Sequence, residues 1–194
     1  MMNFRKFSAL AVMAVSMVCA GAYAQTSTWT IDPAHSSAQF QIRHLGVSNV
    51  RGSITGVKGT VIFNDKDITK SSVTATLDTT TVNTSNDARD KHLKSPDFFD
   101  AEKNPTITFK STSVTNAGGK LQLIGDLTLA GVTKSVTLDL DAPTPPITQR
   151  GKTVSGFSAS GVVKRSDFNF GPKFTPPSLG DEVKITIDVE IDKQ

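Results

Sequence analysis

Apolar and polar positions alternate with a period of two along most of the chain after residue 25. In Val73-Thr74-Ala75-Thr76-Leu77 the odd-numbered residues are apolar and threonine fills the gaps. The same alternation runs through Ile107-Thr108-Phe109, Leu121-Gln122-Leu123, Leu127-Thr128-Leu129 and Val136-Thr137-Leu138-Asp139-Leu140, and through the whole of residues 183–191. Trp29 with Ile31, Phe40 with Ile42, and Val61 with Phe63 repeat it earlier. Period two places one side-chain set on each face of a strand. Strands with one wet face read this way, whereas parallel strands covered by helices are apolar almost throughout. Turn signals separate the runs at Asp65-Lys66-Asp67, Asn116-Ala117-Gly118-Gly119, Ala130-Gly131 and Leu179-Gly180-Asp181. The pattern predicts an all-β, antiparallel domain of about eight strands, which closes as a barrel or stacks as a sandwich.

One stretch, Thr84 to Asp100, breaks the alternation and predicts a short helix. Thr84 and Asp87 have capping-box spacing, and Asp87 with Lys91 and Asp90 with Lys94 are acid-then-base pairs four apart. The helix is expected to end near Ser95, because Pro96 disfavours helical geometry before it. The adjacent Phe98 and Phe99 fit neither period, and serve either as a lid over an opening or as a plug in the core. Residues 142–152, with Pro143, Pro145 and Pro146, and residues 172–180, with Pro176-Pro177, read as loops. Neither is a domain linker, so residues 25–194 form one domain.

An eight-stranded barrel is either just filled by its side chains or holds one small ligand. Small residues occupy the inward register at Ala75, Gly125, Ala159 and Gly161, beside the larger Leu77, Leu123, Phe157 and Val163. They leave room for a cavity, although a tapering packed barrel also alternates large and small. An apolar cavity selects a lipid-like guest, since its wall cannot compensate a polar one for lost water.

The N-terminus changes the charge picture. Arg5 and Lys6 precede the apolar run SALAVMAVSMVCAG, which closes on Ala22-Tyr23-Ala24. This is the three-part pattern of a secretory signal peptide over residues 1–24. Cleavage after Ala24 removes the one cysteine, Cys19, so the mature chain has no thiol or disulfide. It also removes two cations and no acid, lowering the formal charge from +3 to +1. With opposite charges interspersed, nucleic-acid binding has no support. His35, His44 and His92 stand nine and 48 residues apart and match no metal motif, and no Ser-His-Asp elbow, Walker loop or dinucleotide fingerprint occurs. The polar cluster with the best claim to a role is Arg89-Asp90-Lys91-His92, with Arg43-His44 and Arg165-Ser166-Asp167. Arg89 either latches the helix by pairing with Asp97 or Asp167, or meets the polar head of an amphiphile; the latch is the favoured reading.

These residues fall into blocks that resemble the YceI-like family. The blocks are Asp32-Pro33-Ala34-His35-Ser36-Ser37, Arg43-His44-Leu45-Gly46-Val47-Ser48 with Val50-Arg51-Gly52, and Arg89 through Asp100, followed by Pro105 through Ser111, Gly125-Asp126-Leu127-Thr128 and Arg165-Ser166-Asp167-Phe168. They span nearly all of the mature chain in order. The resemblance implies an extended eight-stranded antiparallel, lipocalin-like β-barrel with one short helix. It implies a periplasmic, non-enzymatic protein without cofactor that binds, sequesters or transports a polyisoprenoid or isoprenoid-quinone-like amphiphile, in a family associated with stress responses. It is compatible with transient membrane contact and with a homodimer. On this reading Phe40, Ile42, Ala75, Leu77, Leu123, Phe157 and Ala159 hold the tail, with Phe98, Phe99, Phe168 and Phe170 near the mouth. His44, Arg89, His92 and Arg165 then meet the head. An enzyme acting on such a lipid, and a packed barrel binding a protein partner, are the alternatives. One departure stands out: many relatives have glycine after the Arg-Ser-Asp-Phe block, where this chain has Asn169 and then Phe170 and Phe174, aromatics expected to narrow or recap the mouth.

Overall fold

The computed structural model describes residues 26–194, so the signal peptide expected over residues 1–24 lies outside the described residues. Eleven strands follow in chain order: β1 (Thr26–Ile31), β2 (Ser37–His44), β3 (Ser48–Ile54), β4 (Lys58–Asn64), β5 (Ser72–Asp78), β6 (Thr106–Ala117), β7 (Lys120–Leu129), β8 (Val132–Leu140), β9 (Ile147–Gln149), β10 (Lys152–Lys164) and β11 (Leu179–Lys193). A single α-helix, α1 (Asp87–Lys94), lies between β5 and β6.

Eleven strands make eight staves. β1 pairs with β4 from Thr26↔Asn64 to Thr30↔Thr60, and β2 pairs with β3 from Ala38↔Ile54 to His44↔Ser48. Both β1 and β2 lie on the same edge of β11, so β1–β2 is one stave broken in the middle, and β3–β4 is the next. From there the sheet meanders through β5, β6, β7 and β8 to β10. β10 then pairs with β11 from Val154↔Asp192 to Lys164↔Glu182, which closes the eight-stranded antiparallel barrel. The break in the first stave is stitched locally. The Asp32 amide donates to the Glu190 carbonyl at 2.9 Å, Asp32 Oδ1 accepts from the Ala34 amide at 2.7 Å, and Ser36 Oγ accepts from the Glu190 amide at 3.0 Å. His35 Nδ1 sits 2.9 Å from Asp32 Oδ2, which gives this histidine a structural place at the break.

Three expectations need correction. Leu179-Gly180-Asp181 is not a turn but the start of β11, where Leu179 pairs with His44 and the register shifts before Val183. Such a bulge breaks side-chain alternation without ending the ladder. The loop at residues 142–152 contains β9, a three-residue strand exposed throughout and therefore without an alternation signal. Thr84 does not cap the helix either. Asn86 is the N-cap and accepts from the Arg89 amide at 3.0 Å, while Thr84 donates its amide and hydroxyl to the buried Asp90. Asp90 is thereby drawn inward, away from the exposed pairing with Lys94 that its spacing suggests. The helix ends at Ser95, before Pro96, as expected.

Inward side chains form the core, among them Trp29, Ile31, Val61, Leu77, Ile107, Phe109, Leu123, Leu138 and Ile191. Two of the four small inward residues are filled by neighbours. A Cβ on Gly125 would lie 2.5 Å from the Phe109 ring, and one on Gly161 would lie 2.8 Å from Leu138 Cδ2. Gly125 is therefore a seat for an aromatic ring. Substituting Gly125→Val, which displaces that ring, is expected to cost about 1–3 kcal/mol in urea-induced unfolding.

Candidate ligand-binding cavity

The barrel is hollow. A cavity of about 450 Å³ occupies its interior, within the roughly 300–1,000 Å³ typical of small-molecule sites. Its wall on β11 runs from Leu179 to Val189, about 25 Å along the axis at ~3.3 Å per residue and a tilt near 40°. Ala75 and Ala159, the other two small inward residues, line it together with Phe40, Ile42, Leu77, Leu123 and Phe157. Val73, Leu123 and Phe157 also wall a second space of about 40 Å³ toward the far end, beside Phe63 and Val114.

The other end is built by two connections. Between β5 and β6 the chain forms α1 and then delivers Phe98 and Phe99, both buried and both on the cavity wall. Between β10 and β11 a 3₁₀ turn at Arg165–Phe168 is followed by Phe170 and Phe174, which reach the cavity as well. These aromatics interlock: Phe98 stacks on Phe174 with ring centroids 5.1 Å apart, and Phe99 meets Phe170 edge-on at 4.8 Å. His92 presents its ring edge to both Phe98 and Phe174. Such pairs add to the area they bury. Phe98 and Phe99 are thus a lid and part of the core at once.

All of the expected site residues line the cavity except Phe168, which is 1% exposed and lies off its wall, in the turn. Its even spacing from Phe170 gave no sign of this, because the 3₁₀ turn rotates the two side chains apart. Asn169, the departure from the family glycine, has φ 51° and ψ 32°. Asparagine tolerates that left-handed geometry better than most residues. Phe174, expected at the mouth, lines the cavity as well, and so do Leu127, Leu129 and Val136, which were not among the expected residues. The last three were visible in the strand alternation, and Phe174 follows a Gly-Pro turn.

The polar residues divide by their partners. Arg165 is 4% exposed. Its guanidinium donates to five main-chain carbonyls: Gly180 at 2.8 Å, Phe170 at 3.0 Å, Gly171 at 2.8 Å, Leu179 at 3.2 Å, and Phe174. Burial holds its pKa below the ordinary value. With those donors engaged, Arg165 ties down the β10–β11 connection instead of meeting a head group. Arg89 pairs with neither Asp97 nor Asp167, which corrects the expected latch. It donates through Nε to Thr84 Oγ1 at 2.7 Å and through Nη2 to the Thr84 carbonyl at 2.9 Å, and its Nη1 has no protein partner. The latch is built from other residues. Asp97 accepts from Lys173 at 2.7 Å and from His92 at 3.1 Å, joining the two connections. His44 lines the cavity at an exposed position on β2. Among the described residues no acid lines the cavity; its titratable residues are His44, Arg89, His92 and Arg165.

Residues 29–191 match the YceI-like domain over most of the chain. The chain belongs to the YceI-like family. It is 38% identical to Protein YceI of Escherichia coli O6:H1 over 187 residues, covering 95% of this chain and 97% of that protein. Among solved structures it resembles a Campylobacter jejuni YceI protein at TM-score 0.70 and 34% identity, covering 79% of this chain and 90% of that one. The fold also matches that of a polyisoprenoid binding domain from Saccharophagus degradans, at TM-score 0.63 and 12% identity, covering 86% and 98% of the respective chains. For the YceI-like barrel described here, closure of the mouth thus depends on Arg165 and Asp97.

Arg165→Lys keeps the charge but cannot fork to five carbonyls, and is expected to lower the melting temperature by about 5–15 °C. Hydrogen bonds from Lys173 and then His92 hold the Asp97 carboxyl below its ordinary value of 3.8. A depressed pKa in the folded state contributes stability that is complete above the ordinary value and is lost as pH falls through the folded one. Asp97→Asn is therefore expected to melt below the parent protein at about pH 5, with the difference shrinking at pH values under 3.8.

Proposed function

We propose that this protein binds a long-chain isoprenoid lipid in the periplasm, and sequesters or carries it without converting it chemically. The observation that carries this reading is the elongated apolar cavity, whose titratable residues are all basic. An apolar wall favours a hydrocarbon tail, because burial contributes roughly 0.8 kcal/mol per CH₂-sized unit before the costs of association. Basic groups at one end favour a head rich in acceptor oxygens. Arg89 Nη1 and His44 are the groups placed to meet it, since Arg165 is engaged with carbonyls. The structural relative from Saccharophagus degradans, described as a polyisoprenoid binding domain, supports the choice of lipid class. The signal-like segment at residues 1–24 supports export to the periplasm.

His92 with Asp97 forms an acid–base pair at the rim. Because Asp97 is also held by Lys173 and the imidazole packs edge-on against Phe98 and Phe174, we assign the pair to closing the mouth. Organic extraction of the protein released by osmotic shock, followed by mass spectrometry, is expected to recover a prenyl lipid. Filling the cavity with Ala75→Phe and Ala159→Phe together is expected to reduce that recovery at least about tenfold. A wild-type protein that is repeatedly empty and takes up no prenyl lipid in solution overturns the proposal.

A further inference from the structure

The turn between β2 and β3 carries a feature that the cavity leaves unexplained. Residues 43–49 are exposed without interruption, and they include Leu45 at 54% and Val47 at 77% exposure, two of the four large apolar residues so exposed among the described residues. Two large apolar side chains exposed two residues apart at a hairpin tip form the kind of local apolar patch that marks an interaction surface. The tip adjoins the mouth. His44, the residue before Leu45, lines the cavity, and the Leu45 amide donates at 3.1 Å to the carbonyl of Ser178, another lining residue.

The charge carried by the hairpin itself has one sign. No aspartate or glutamate occurs between Asp32 and Asp65, whereas Arg43, Arg51 and Lys58 fall in that stretch together with His44. On β2 and β3 the side chains of Phe40, Ile42, Val50 and Ile54 line the cavity, and the exposed Arg43 and Arg51 occupy the alternate positions. The hairpin is therefore apolar inside, cationic outside and apolar at its tip. Of the acids at the same end, Asp97 is engaged by Lys173 and His92 and Asp181 by Ser166, while Glu182 on β11 and Asp167 in the 3₁₀ turn are exposed and offset part of the hairpin's positive charge.

We propose that the β2–β3 tip is a membrane-docking element: Leu45 and Val47 enter the interface of an anionic bilayer, Arg43 and Arg51 lie against its head groups, and the cavity mouth meets the lipid surface. This inference rests on the lipid-carrier reading, since docking lets a guest pass between bilayer and barrel without exposing its tail to water. Its chemistry is that of a shallow anchor. Each basic residue near an anionic surface strengthens association roughly fivefold, in a salt-sensitive way, and two apolar side chains give a reversible hold.

The test is sedimentation with vesicles of phosphatidylcholine containing roughly a third phosphatidylglycerol, against vesicles of phosphatidylcholine alone. A parallel arm measures uptake of a fluorescent prenyl lipid from nonionic detergent, and thermal melting confirms that each variant is folded. The wild type is expected to bind the anionic vesicles and to release them at high salt. Leu45→Asp with Val47→Asp is expected to weaken vesicle binding at least about tenfold while leaving uptake from detergent unchanged, and Arg43→Gln with Arg51→Gln to remove the preference for phosphatidylglycerol. A wild type that ignores both vesicle types, or an aspartate variant that binds them equally well, overturns the docking proposal. A wild type that docks yet takes up no prenyl lipid overturns the carrier reading and leaves docking standing.

Discussion

A hollow protein interior forfeits the packing that normally holds a domain together, so something else must keep the wall in place. Here it is the unbroken pairing of β10 with β11 from Val154↔Asp192 to Lys164↔Glu182, with β1 and β2 on the far edge of β11. That pairing satisfies the main-chain donors and acceptors along the seam. The side chains then need only form a shell. What the shell lacks in its middle is offset toward the far end, where Trp29, Ile31, Val61 and Ile191 pack as a core.

The mouth is held differently. Apart from one bridge between Ser53 and Asn83, neither connection that forms it belongs to the sheet, and each is anchored by polar groups that find their partners in the chain itself. Arg165 gathers carbonyls from both sides of its own loop, and Asp90 serves the same purpose for the segment before α1 through Thr84. Only Asp97 crosses from one connection to the other, through Lys173. Between these anchors the phenylalanines supply contact area. A mouth assembled in this way depends on a few charged groups, while the barrel depends on many equivalent main-chain bonds.

The antiparallel strands were legible in the sequence because their physical cause is periodic, whereas the choice of barrel over sandwich came from the family resemblance. Alternation in residues 73–77, 121–129 and 183–191 reports which face is buried, and the Gly-Gly and Ala-Gly turns report where the chain reverses. The lining residues on strands followed from the same register. What stayed hidden was everything whose cause is a single long-range partner. Thr84 has the spacing of a cap but serves Asp90, Arg89 faces Thr84 and not an acid, and Phe168 turns away from the cavity that Phe170 enters. The small inward residues looked alike, yet only Ala75 and Ala159 border empty space, because the ring of Phe109 and the end of Leu138 reach over the two glycines. Alternation cannot tell a void from a seat.

The two kinds of construction also separate two kinds of discrimination. A largely apolar wall drawn from the staves responds more to the girth and reach of whatever enters than to its chemical identity. Any finer choice between guests has to be made in the segments before β6 and before β11, where Arg89, Phe98, Phe170 and Phe174 sit. Because those segments are spliced between staves and do not set the register of any ladder, they are free to diverge among descendants of one ancestor while the container stays the same.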